Sequence, residues 1–183
     1  MIKPLNHWSP LALNGLNWGV ILGSVLLCSL LLPLRLPGLE LAGVGPNWLL
    51  IWLVTWSLKR SAFQGVVAGI SLGLIQDGLT APNPTHTIGL ALVGLLTGRL
   101  NKKRFIEEDL ISVALIVFCM AVLVETIMAI QFSVGSENDI HIIWSHQQKT
   151  ALSSAILSSL WTPVISYPLN RWWQQFNQLT GHE

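Results

Sequence analysis

GVVAGISLGLIQDGL, residues 65–79, decides how this chain is read. Three glycines recur at intervals of four, at Gly65, Gly69 and Gly73, and one further step reaches Asp77. Glycine is a poor helix former in water, and aspartate is costly inside a bilayer. In lipid the balance changes. Helices there gain little from hydrophobic association and pack instead by close backbone approach at small residues. Steps of four drift by about 40° on a helix of 3.6 residues per turn, so the four positions trace one shallow groove wrapping the helix. Asp77, at the end of that groove, is expected to face protein rather than lipid.

The composition around this stretch is that of a membrane protein. Hydrophobic residues make up 51% of the 183 and charged residues only 10%, where an average soluble domain carries about 25%. Mean hydropathy is +0.56. A net charge of +1 carries no footprint of a nucleic-acid partner. Cys28 and Cys119 both lie in apolar runs, with no CxxC and no Cys/His cluster. They are expected to be small buried hydrophobes, and neither a metal nor another cofactor is implied. The first apolar run has only Lys3 as a basic flank and no A-x-A cleavage site, and bulky Leu27 precedes Cys28. It reads as an uncleaved anchor.

Working outward, the apolar segments predict an all-α membrane protein, a bundle of about six transmembrane helices in one integral membrane domain over residues 1–183. The spans fall at about 16–34, 41–58, 61–80, 87–100, 110–132 and 149–169. The second and fourth are short enough to be only half inserted. Pro46 is expected in the first turn of the second span, where its missing N–H costs little, and Pro163 interrupts the sixth. The two-proline turn APNPTHT, 81–87, separates the third span from the fourth. With both termini in the cytoplasm, Lys3, Lys59, Arg60, Arg99, Lys102, Lys103, Arg104 and Arg171 fall inside. Only Arg35 and Lys149 fall outside, as the positive-inside rule favours. Trp8, Trp18, Trp144, Trp172 and Trp173 lie near predicted span ends, where amphipathic rings settle among headgroups.

Few residues in the spans carry chemistry. Trp48, Trp52 and Trp56 repeat every four residues and form an aromatic ridge on the second helix. It is either a packing ridge or a docking face for another membrane helix. Gly94 and Gly98 form a shorter glycine motif on the fourth helix. The simplest arrangement packs helices three and four on each other; the alternative gives one groove to a partner's helix. Asp77 lies about 24 Å along its helix, near the external interface, and is expected to take hydrogen bonds from the APNPTHT turn, at Thr85 or Thr87. Otherwise it is a polar contact for a partner or ligand. Glu125, the other intramembrane acid, has Gln131, His86 or a serine of helix six as expected partners. Two acids without further ionisable groups do not make a proton relay. The serines at 153, 154, 158, 159 and 166 are expected to face the bundle interior. No Ser/His/Asp set, HExxH or phosphate loop occurs, and His141 and His146 in the 133–148 connection lack a ligand spacing. No catalytic residue and no enzymatic activity is indicated.

The block from Pro46 to Arg99 resembles the bacterial rod shape-determining protein MreD family. PNWLLIWLVTWSL matches its proline before an apolar, aromatic helix, and KRSA matches the basic or polar turn that follows. GISLGLIQDGL matches its glycine-rich helix ending in Gly-hydrophobic-x-x-Asp, and Gly89 in HTIGLALVGLLTGRL matches the glycine opening the next helix. The resemblance implies a non-enzymatic scaffold in the bacterial plasma membrane. It would bind a bitopic MreC-like protein within the elongation complex that links MreB filaments to the RodA glycosyltransferase and its transpeptidase. The glycine groove and the tryptophan ridge would then be interaction surfaces. The family's fold also looks like the substrate-binding subunits of energy-coupling-factor vitamin transporters. That suggests the rival expectation, a small-molecule-binding transporter subunit with Asp77, His86 and Glu125 lining an outward pocket.

Overall fold

The computed structural model describes residues 10–34, 40, 41, 43–80, 84–100, 109–135 and 140–180. Lys3, Trp8, Arg35, Lys102, Lys103, Arg104, the opening of the APNPTHT turn and the side chains of His141 and His146 lie outside the described residues. Among the described residues there are six helices: α1 (Pro10–Leu31), α2 (Trp48–Ser57), α3 (Ala62–Leu79), α4 (His86–Leu100), α5 (Leu110–Gly135) and α6 (Ile140–Thr180). Three of them contain segments long and apolar enough to cross a membrane: Ala12–Leu31, Ala62–Leu79 and Leu110–Val134.

Local chemistry sets the helix ends. Ser61 and Gln64 form a capping box at the start of α3. The Ser61 hydroxyl accepts from the Gln64 N–H, and the Gln64 side chain accepts from the Ser61 N–H. Asp109 caps α5, accepting from the Ser112 hydroxyl at 2.8 Å and the Ile111 N–H at 3.2 Å. Those bonds, the Ser112 hydroxyl first, hold its carboxyl below the usual carboxylate range. Asn47 caps α2 through its Oδ1, which accepts from the Leu50 N–H at 3.1 Å. Pro46 therefore precedes the cap rather than entering the first turn. Residues expected to begin the second span turn instead, with Leu41 and Val44 exchanging backbone hydrogen bonds around Gly43 at φ +79°, a conformation natural to glycine.

α2 is the centre of the molecule. Its ten residues span about 15 Å, half of a bilayer core. Nine of the ten are buried, and they form the middle of the hydrophobic core with Val113 and Val117 of α5 and Leu90 and Val93 of α4. A helix apolar on every face is one that protein surrounds. Its N-terminus is tied to α6 by the Asn47 N–H donating to Ser158 Oγ at 2.9 Å. The most extensive helix–helix contacts are α3 on α4 and α5 on α6.

α6 is longer than its apolar stretch. It takes in most of what the sequence reads as an external loop and as a polar tail, 41 residues in all, and accommodates both Pro163 and Pro168. Ser153, Ser154, Ser158 and Ser166 on α6 are buried and Ser159 lies nearer the surface. Cys28 is buried, whereas Cys119 is exposed on α5; an apolar run shows burial in lipid or in protein without distinguishing them. Trp18, Trp172 and Trp173 sit inside helices, with Trp173 buried under the Lys59 ammonium.

Candidate functional site

The residues singled out in the sequence fall into three places. The first is the seam between α3 and α4. A methyl group placed on Gly65 would run into the Gly94 carbonyl, and one on Gly69 would lie 2.8 Å from the Ala91 Cα. On Gly73 it would lie 2.9 Å from the Thr87 nitrogen, and on Gly98 2.6 Å from the Ala62 Cα. Each is closer than a real Cβ comes to backbone. The five glycines thus let two helix backbones touch along their lengths, and the groove on α3 is filled by the chain's own α4. By contrast Gly15, Gly19 and Gly23 on α1 have nothing within 4 Å of such a methyl. Gly89 faces the other way, toward Val124 of α5, so α4 is held between two neighbours.

The seam ends at Asp77. Its Oδ2 accepts from the Thr85 hydroxyl at 2.5 Å and the Thr87 hydroxyl at 2.9 Å. Its Oδ1 accepts from the His86 backbone N–H at 2.7 Å, and the His86 Nδ1 lies 2.8 Å from the same oxygen. Thr85 Oγ1 accepts in turn from the Thr87 N–H at 3.2 Å. The first N–H groups of a helix lack partners within it, and a carboxylate there also meets the positive end of the helix dipole. Asp77 supplies this from the preceding helix. Gln131 on α5 completes the node: its Oε1 accepts from the Thr85 N–H at 3.2 Å and its Nε2 donates to the Thr85 carbonyl at 3.1 Å. Three helices are joined at one end by side chains that satisfy one another.

The second place is the tryptophan ridge. Trp48 and Trp52 are 7% and 3% exposed, and Trp56 is partly buried. Trp48 packs edge-on against Trp161 of α6, and Trp52 stacks on Trp56. The Trp52 Nε1 donates to Ser24 Oγ of α1 at 2.8 Å. The ridge thus packs on α6 and α1 near the centre of the bundle.

Glu125 is the third. Its partner is none of those expected: Gln147 Nε2 donates to Glu125 Oε2 at 2.7 Å. Gln131 is engaged with Thr85, and Gln147 arises from a segment that polarity marks as loop but that belongs to α6. Glu125, Gln147, Trp144 and Leu152 line a cavity of about 360 Å³ between α5 and α6. Neither Asp77 nor His86 is on its wall, so the three residues of the transporter expectation do not meet in that cavity. Gln147 and the capping partner Gln64 were not singled out by sequence. The S-x-x-Q pattern at Ser61–Gln64 carried a signal for the latter; nothing local marked the former.

No curated protein and no solved structure matches the chain. A family model described as rod shape-determining protein MreD matches residues 15–169.

Proposed function

The chain belongs to the rod shape-determining protein MreD family, and from that membership, which implies a role in rod shape and no known enzymatic activity, we propose that it is a non-enzymatic membrane scaffold of the bacterial cell-wall elongation complex. In this reading it is a multi-pass protein of the inner membrane, with both termini cytoplasmic, and binds an MreC-like bitopic protein. The observation that carries the reading is the family match, which covers 15–169, far beyond the Pro46–Arg99 block where the resemblance is visible by eye.

The geometry supports a structural role. The intramembrane acids are engaged in fixed hydrogen bonds to Thr85, His86, Thr87 and Gln147, and the glycines are closed into the α3–α4 seam. Such a bundle presents rigid outer faces. A partner helix meets lipid-exposed side chains of α1, α3, α5 or α6 rather than the glycine groove or the tryptophan ridge. Affinity purification of the tagged chain from membranes tests this: the MreC-like protein of the same cell is expected in the eluate. An eluate that contains MreB or RodA but lacks it would remove the proposed partnership.

A further inference from the structure

The two intramembrane acids differ in how they are met. Asp77 accepts from two hydroxyls and a backbone N–H, and the N-terminus of α4 adds the positive end of a helix dipole. Among the described residues Glu125 has one hydrogen-bond partner, the Gln147 amide on its Oε2. An amide N–H occupies one lone pair and brings no positive charge. Glu125 stands about 15 Å from the Gly135 end of α5, well inside the apolar segment Leu110–Val134. A carboxylate at that depth is costly unless a cation meets it.

The space for a cation is beside it. The α5–α6 cavity of about 360 Å³ falls within the range of small-molecule sites, about 300–1,000 Å³. Val122, Ala129, Ala151 and Leu152 give it apolar walls, and among its described lining residues there is no Lys or Arg. Trp144, also on the wall, is 37% exposed and so stands at the surface. The Thr126 hydroxyl is turned back on the Val122 carbonyl at 2.7 Å. Gln147 donates an N–H to Glu125 and keeps its own carbonyl oxygen as a second acceptor. The cavity therefore combines one carboxylate, one amide acceptor and one indole within an apolar enclosure.

We propose that this cavity binds a primary ammonium carrying a short apolar body. Its N–H groups bond to Glu125 Oε1 and the Gln147 carbonyl oxygen, and its hydrocarbon lies against Val122 and Leu152. Charge-assisted bonds to the carboxylate are the strongest available to it, and an indole attracts a cation electrostatically. A neutral ligand of the same shape would leave the charge on Glu125 unmet. A free amine and the ethanolamine headgroup of a phospholipid share this chemistry. The inference rests on the cavity of the isolated chain and is independent of the scaffold reading.

Calorimetric titration of the full chain in detergent near pH 7 tests it, with benzylammonium as the probe and benzyl alcohol as its neutral counterpart. The expected result is one saturable benzylammonium site per chain, at least about tenfold tighter than benzyl alcohol, with Glu125→Gln abolishing the difference. Ala151→Leu, which narrows the cavity and keeps Glu125, is expected to weaken benzylammonium as well. Equal binding of the two probes, or benzylammonium binding unchanged in either variant, would overturn the inference. Native mass spectrometry with added phosphatidylethanolamine separates the sources. A retained phosphatidylethanolamine that benzylammonium displaces supports the site as one for a lipid headgroup. Benzylammonium binding without such retention supports it as one for a free amine.

Discussion

At Asp77 one carboxylate accepts from two threonine hydroxyls and a backbone N–H. A hydrogen bond to a charged group contributes about 1.5–3 kcal/mol, and these bonds act together. Asp77→Ala should therefore destabilise the bundle by at least about 2 kcal/mol, seen as a lower midpoint of thermal unfolding in detergent. Asp77→Asn keeps the shape and one acceptor oxygen and should fall between the two. An Asp77→Ala protein as stable as wild type would show that the α3–α4 turn is held by something else. Gln131→Leu, which removes both bonds to Thr85, should destabilise the bundle by about 1–3 kcal/mol and so lower the same midpoint. The role of Asp77 was legible in the sequence because a charged residue beside a short, threonine-rich turn has few other ways to be satisfied. The partner of Glu125 was not. Gln147 comes into reach only because polar residues after 140 are helical, and hydropathy sees polarity there without seeing the helix.

Among the elements, the α3–α4 seam makes the sharpest demand on sequence. Gly69→Ala should cost about 1–3 kcal/mol through overpacking, since its methyl would meet the backbone of Leu90 and Ala91. Gly19→Ala on α1, with open space at the same position, should be neutral or slightly stabilising, alanine being the better helix former by about 1 kcal/mol. Unfolding of the two variants side by side separates packing from helix propensity. The seam could be read from the four-residue spacing because that spacing is itself the packing geometry. α2 could not. An apolar run looks the same whether lipid or protein surrounds it, so a ten-residue helix with nine residues buried passed for a longer span. The start at Asn47 was missed: Pro46 is expected in the first turn by sequence, whereas the Asn47 side chain caps the helix one residue later. α6 erred in the opposite direction: its ends are too polar for a span yet remain helical, because helix formation outside the bilayer core does not require apolar residues.

At the scale of the whole molecule, the structure is a bundle tied at its centre by α2 and at one end by the Asp77 node, with most of its exposed apolar residues on α1, α3, α5 and α6 and none on α2. That division fits a protein that acts by what it holds rather than by what it converts. The scaffold account makes stability and function move together: Gly69→Ala and Asp77→Ala should both lower recovery of the MreC-like partner in affinity purification, while Gly19→Ala should leave it unchanged. The most direct measurement is of cell shape. When this protein is depleted from the rod-shaped bacterium that carries it, the account predicts that cells widen and round within a few generations and that re-expression of the wild-type chain restores rods. Depleted cells that keep their width and their rod shape would contradict it.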